Sequence, residues 1–162
     1  MKKIAVVLVG EEEFGIDIGK LVEILRAQRI YHLPQLPSFF SGVINVRGDV
    51  VPLVDLRIRF GLHSASPKER IIIVRLGGEK VGLLVDGVKD IIDLQPEEEV
   101  KTPSMVKGLK VEYLAGLAKK ENRIIVLLNI ETVLTSEERL QFEEVKKVIG
   151  VDHAGDTRTA QQ

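Results

Sequence analysis

Short apolar runs punctuate the chain, most of them too brief for a helix and rich in β-branched residues. Ile4 to Val9 holds only Ile, Ala, Val and Leu, which predicts a strand. Phe14 to Ile18 alternates apolar with small or polar positions, and "GEEEFG" before it reads as a hairpin turn. "LVEIL" continues as extended chain or a brief turn. Pro34 and Pro37 punctuate "YHLPQLPSFFSG", a loop or short helix. Val43 to Val46 and Val50 to Val54 read as two strands joined at Arg47-Gly48-Asp49. Asp55 is the predicted N-cap of one helical turn, "LRIRF", with Gly61 as its C-cap. After the polar loop "HSASPKE", the strands "RIIIVRL" and "KVGLLV" flank Gly77-Gly78, a strong hairpin signal. "LQPEEEVKTPSMVKGLKVEY" reads as a long polar loop or lid, and "RIIVLLNI" as the last clear strand. Ser136, followed by Glu137 and Glu138, opens a helix over 136–150 with Phe142, Val145 and Ile149 on one apolar stripe. Residues 151–162 are polar and read as a flexible tail.

The two halves resemble each other. "GVINVRGDVVPLVDL" lies over "GLAKKENRIIVLLNI", with Gly42 on Gly116, Leu53 on Leu127, Asp55 on Asn129 and Leu56 on Ile130 at one constant spacing. Upstream, "GIDIGKLVEI" lies over "GLLVDGVKDI", with Gly15 on Gly82, Glu23 on Asp90 and Ile24 on Ile91. Several matches in the same order argue for internal duplication. Many short strands with Gly and Pro turns then predict two small β-barrels, over roughly 1–65 and 70–135. A half of that size has a marginal core, so the two are expected to pack on each other with a groove where they meet. One barrel could take its first strand from the other half.

Composition narrows the function. The 162 residues are 44% hydrophobic and 29% charged, a globular balance. The formal net charge of −1 predicts no nucleic-acid partner. No apolar run reaches the ~18 residues of a membrane span, and Met1 to Gly10 does not read as a signal peptide. With no Cys, thiol chemistry is excluded and a cytoplasmic location fits. His32, His63 and His153 stand far apart without metal-ligand spacing. No G-x-S-x-G elbow surrounds a serine, and Gly77-Gly78 is not followed by the Lys-Ser or Lys-Thr of a phosphate loop. "EEEV", from Glu97 to Val100, reads as solvated surface, with a calcium contact as the alternative. Aromatic residues are 4%, too few for a base- or sugar-stacking platform. No catalytic residue, metal or cofactor is expected.

Arg47 stands out as a long cation between apolar runs. Residue type admits three readings. It is a solvated turn residue beside Gly48, part of an Arg-Gly-Asp integrin motif, or a cation at the mouth of the groove that fixes the register of a partner helix. The integrin reading has the wrong context in a chain without cysteines or a signal peptide; residue type favours the solvated turn and does not raise the groove reading above it.

Four blocks, "EEFGIDIGKLVEIL", "GVINVRGDVVPLVDLRIRFGL", "VGLLVDGVKDI" and "YLAGLAKKENRIIVLLNIETVL", resemble in order the CheW-like domain of chemotaxis coupling proteins. The same domain occurs in the histidine kinase CheA and in CheV adaptors. The resemblance runs from about Ile4 to Glu138 and is most specific in "NVRGDVVPLVDL". It implies one domain over 1–138 with two SH3-like five-stranded β-barrels around a shared core, and no catalytic activity. It implies an adaptor in the cytoplasm, recruited to chemoreceptor arrays, that couples the cytoplasmic tip of methyl-accepting chemoreceptors to the CheA regulatory domain. By this resemblance Arg47, Glu23, Leu21, Gly42 and Gly48 belong to the receptor contact. Ile30 and Ile72 belong to an apolar kinase contact, and Ser104 and Met105 to a second, array-forming one. Asp49 receives no role. The alternatives are an adaptor of a non-flagellar chemosensory pathway and, in another class, a small-molecule-binding or hydrolytic β-barrel.

Overall fold

The computed structural model describes residues 1–34, 36–63, 69–100 and 113–149. Among the described residues eleven strands and two α-helices follow one another. They are β1 (Lys2–Val9), β2 (Glu12–Asp17), β3 (Leu21–Arg26), β4 (Gly42–Val46), β5 (Asp49–Asp55), α1 (Leu56–Phe60), β6 (Arg70–Leu76), β7 (Glu79–Val85), β8 (Gly87–Leu94), β9 (Glu99–Val100), β10 (Leu114–Lys120), β11 (Arg123–Leu128) and α2 (Ser136–Ile149). The strands form a six-stranded sheet, β8-β1-β2-β11-β10-β9, and a five-stranded sheet, β3-β6-β7-β5-β4.

The expected local signals are in place. Asp55 accepts a hydrogen bond from the Arg57 N–H at 2.9 Å, and Gly61 closes α1 at φ 67° and ψ 34°. Leu76 faces Glu79 across the Gly77-Gly78 turn. Asn129, laid over Asp55 by the internal match, caps the turn Ile130–Thr132 in the same way, its side chain accepting from the Glu131 N–H.

The internal match explains the sheet order. It lays β1 on β6, β2 on β7, β3 on β8, β4 on β10 and β5 on β11. Substituting each strand by its counterpart turns β3-β6-β7-β5-β4 into β8-β1-β2-β11-β10, the core of the other sheet. Each sheet therefore takes its first hairpin from one repeat and three matched strands from the other, with β9 added at the edge of the six-stranded sheet, and sheet membership does not follow a cut near residue 65. The exchange is made by the antiparallel pairs β1–β8 and β3–β6 and by two parallel contacts, Gly15 against Leu127 and Leu53 against Gly82, which join strands far apart in the chain. At both crossings a leucine fills the place of the missing side chain. A Cβ on Gly15 would lie 2.9 Å from Leu127 Cδ2, and one on Gly82 only 2.4 Å from Leu53 Cδ2.

Three apolar clusters result. Ile4, Val6, Ala118, Ile125 and Leu127 fill one barrel; their counterparts Ile71, Ile73, Ile44, Val51 and Leu53 fill the other. The third cluster lies between the sheets and draws on β1, β2, β6 and β7, with Phe60, Tyr113 and Phe142. This accounts for the all-apolar "IIIV": one face of β6 fills a barrel, the other the shared core.

Two strands lack a clear pattern. β8 carries exposed Lys89, Ile91 and Asp93 at a sheet edge, and β10 is rich in Ala, Gly and Lys. β9 lies inside the stretch expected to be a polar loop, pairing Val100 with Leu117 and Glu99 with Ala118. α2 starts at Ser136, but its cap is Thr135, whose Oγ1 accepts from the Glu138 N–H at 3.2 Å while the Thr135 N–H donates to Glu138 at 2.9 Å. That reciprocal pair is a capping box, legible in "TSEE". Phe142 is buried on the Phe40 ring at 5.5 Å; the side chains of Val145 and Ile149 lie outside the described residues, as does the tail 150–162.

Candidate functional site

Arg47 and Gly48 are the two turn residues between β4 and β5, with Val46 facing Asp49. Both have positive φ, 50° and 93°. A two-residue hairpin with both residues in that region matches the right-handed twist of its strands, and Gly is suited to the second position. Arg47 is strained there, since its Cβ crowds the backbone. The Asn45 side chain holds the turn by accepting from the Gly48 N–H at 2.8 Å.

Glu23 comes from the opposite edge of the same sheet. β3 shifts register on β6 between Leu21 and Glu23, a bulge centred on Val22. The curl of the sheet brings edges β3 and β4 together, and the Arg47 guanidinium grips the Glu23 carboxylate with both terminal nitrogens, one of them at 3.3 Å. The hydrogen bond from Arg47 holds the Glu23 carboxyl below its ordinary range, and the bond to Glu23 raises Arg47. The Arg47 side chain stays 67% exposed, against 25% for Glu23. A fixed but exposed cation results.

The other barrel shows what a structural version looks like. Glu121 takes the place of Arg47, with φ 58° against 50°. Asp90, the counterpart of Glu23, is held instead by Arg123, through two bonds of 3.0 Å. Arg123 also binds Glu13 and is only 22% exposed. Burial opposes ionisation of Glu13, but hydrogen bonds from Lys89 and Arg123 outweigh it and lower its carboxyl. Both barrels thus tie their edges with an arginine–carboxylate pair, and only the Arg47 pair presents its cation to solvent.

The remaining expected residues fall differently. Leu21 is half-buried against the shared core. Gly42 is buried, and a Cβ there would lie 2.5 Å from Ile30 Cγ2 and 2.7 Å from the Tyr31 carbonyl oxygen. Gly42 and half-buried Ile30, expected in separate contacts, therefore touch. Ile72 is fully buried on β6, so its side chain shapes the core and is not a surface contact. Ser104 and Met105 lie outside the described residues. Asp49, given no role, stands 3.9 Å from Lys80 beside the Arg47 turn. Among the described residues no group of three or more His, Asp or Glu is placed to hold a metal ion, Glu97–Glu99 included. No helix of the described residues is long and apolar enough to cross a membrane.

A buried arginine braces the opposite end of β5 from the Arg47 turn. Arg57 on α1 binds Asp55 at 3.0 Å, Glu69 at 2.7 Å and Asp86 at 3.1 Å, and Asp86 accepts from the Gly10 N–H. Asp86 lies between β7 of one sheet and β8 of the other, so the cluster ties the two barrels together.

Fold and site together define a class: a two-barrel β protein that displays a positioned charge. Comparison with known proteins gives the family. The CheW-like domain matches residues 3–138, and the chain belongs to this family. It is 38% identical over 140 residues to the chemotaxis protein CheW of Klebsiella aerogenes, covering 85% of this chain and 84% of that one. It is 35% identical over 133 residues to the CheW of Rhizobium meliloti, covering 81% and 86%. The crystal structure of the scaffolding protein TtCheW from Thermoanaerobacter tengcongensis superimposes with a TM-score of 0.76 at 32% identity, over 83% of this chain and 92% of that one. The chain is a chemotaxis coupling adaptor with two SH3-like subdomains, a scaffold and not an enzyme, and the hydrolytic reading falls.

Proposed function

We propose that the protein works in the cytoplasm as the link between the cytoplasmic tip of methyl-accepting chemoreceptors and the regulatory domain of the histidine kinase CheA, within receptor arrays. The observation that carries this reading is the Arg47 guanidinium, exposed and fixed on a rigid turn by Glu23. A planar cation of this kind reads a carboxylate or carbonyl on a partner helix with defined geometry. The groove between the barrels takes the apolar side of that helix, with Leu21 at its wall; Gly48 shapes the turn that presents Arg47, and Gly42, at the other end of β4, holds that strand's backbone in place. Ile30 belongs to the kinase contact, with Ser104 and Met105 in the array-forming one. The adaptor accelerates no reaction; it transmits a signal by holding two partners at once, and linked contacts raise the effective affinity of each. Mixing the purified chain with a receptor cytoplasmic fragment and a CheA regulatory domain, followed by size-exclusion chromatography, tests the reading. A peak containing all three components is expected. Mutually exclusive binding of the two partners contradicts it.

A further inference from the structure

We infer that Lys80 is a positioning residue that receives the Glu23 carboxylate when a partner engages Arg47. The inference rests on the receptor-coupling reading above. In the free protein both terminal nitrogens of Arg47 are committed to the two oxygens of Glu23. A partner acceptor that approaches the same end of the guanidinium displaces Glu23. With a side chain only 25% exposed, Glu23 is poorly placed to recover full hydration, so release without a second cation opposes binding. Lys80, on β7, is the cation at hand. Its ammonium stands 3.9 Å from Asp49, too far for a hydrogen bond, and that carboxylate is itself 67% exposed. The hold is loose, and a lysine stem is flexible enough to redirect its charge. Arg47 and Asp49 flank Gly48 on one turn, so the two ion pairs are neighbours. After the Arg47 hydrogen bond, the charges of Arg47 and Lys80 also act to lower the Glu23 carboxyl. In the other barrel the internal match puts Glu13 at the place of Lys80, locked to Arg123 and Lys89. The loose cation accompanies the exposed arginine and is absent from its buried counterpart.

The test measures affinity for a receptor cytoplasmic fragment in a cycle of Lys80→Gln, Lys80→Arg, Glu23→Gln and the double variant Glu23→Gln/Lys80→Gln, with thermal melting as the folding control. Lys80→Gln is expected to weaken binding about two- to fivefold, the range of an exposed ion pair, without a change in melting. Lys80→Arg restores it, and in the Glu23→Gln background Lys80→Gln has no further effect. Wild-type affinity for Lys80→Gln, or an equal loss with and without Glu23, overturns the inference. Arg47→Ala separates the two levels: if it binds the fragment like wild type, the receptor reading fails and the inference with it. If it loses binding while Lys80→Gln does not, the inference alone fails.

Discussion

Gly42 shows how a single residue can stand out in the sequence while its depth stays illegible. Its match to Gly116 marks a shared backbone need, and both adopt unusual positive φ, 150° and 156°. The cause is close approach: the space of a side chain is taken by Ile30 and by the Tyr31 backbone, which exchanges two hydrogen bonds of 2.8 Å with Val43. The backbone oxygen cannot step aside as a side-chain end could. Gly42→Ala is therefore expected to cost about 2 kcal/mol, read as a lower urea midpoint. An unchanged midpoint would show that the site relaxes freely. Gly42 was legible as special, but its resemblance to a binding position did not reveal that it is buried. The same holds for Ile72, since the residue type gives no depth. Glu23 and Arg47 were each legible through their motifs; their contact was not, because it depends on how far the sheet curls.

Among the elements, the hairpins and α1 follow from local chemistry, since Gly77-Gly78, Asp55 and Gly61 act on their neighbours. Edge strand β8 and short β9 owe their structure to pairing, which leaves little pattern behind. α2 is held at its start by the capping box and by Arg59, which donates to Glu138 at 2.7 Å. Burial raises the Glu138 carboxyl, but hydrogen bonds from Arg59 and the Thr135 N–H outweigh it and bring it below the ordinary 4.5. A lowered carboxyl stabilises the fold above its unfolded value, and that contribution is lost as pH falls through the folded one. The protection of α2 amides against hydrogen exchange, taken relative to the intrinsic rate at each pH, should fall below about pH 4.5 in the wild type. Glu138→Gln should loosen the helix by about 1 kcal/mol near neutral pH and flatten the acid dependence. A mutant with wild-type acid dependence would place the titrating group elsewhere.

At the scale of the whole molecule, duplication was legible because the repeats keep their glycines and leucines in step. The reciprocal exchange of hairpins was not, because two repeats with these patterns could also form two self-contained barrels. Since each barrel is completed by a hairpin of the other repeat, and Arg57 ties both, neither barrel can open alone without breaking a sheet in the other. One cooperative unfolding transition is expected, with equal calorimetric and van't Hoff enthalpies. Two separate transitions would contradict the exchange. The same rigidity keeps the Arg47 turn in fixed relation to the rest of the surface, which an adaptor needs.

The central claim is that an exposed arginine on a braced turn serves one partner and not the other. The most direct test measures the affinities of wild type and Arg47→Ala for a receptor cytoplasmic fragment and, separately, for a CheA regulatory domain. The account predicts an Arg47→Ala protein that melts like wild type, binds the kinase domain unchanged and loses about tenfold or more in affinity for the receptor fragment. A protein that melts several degrees lower and binds the receptor fragment normally would make Arg47 a structural brace and contradict the account.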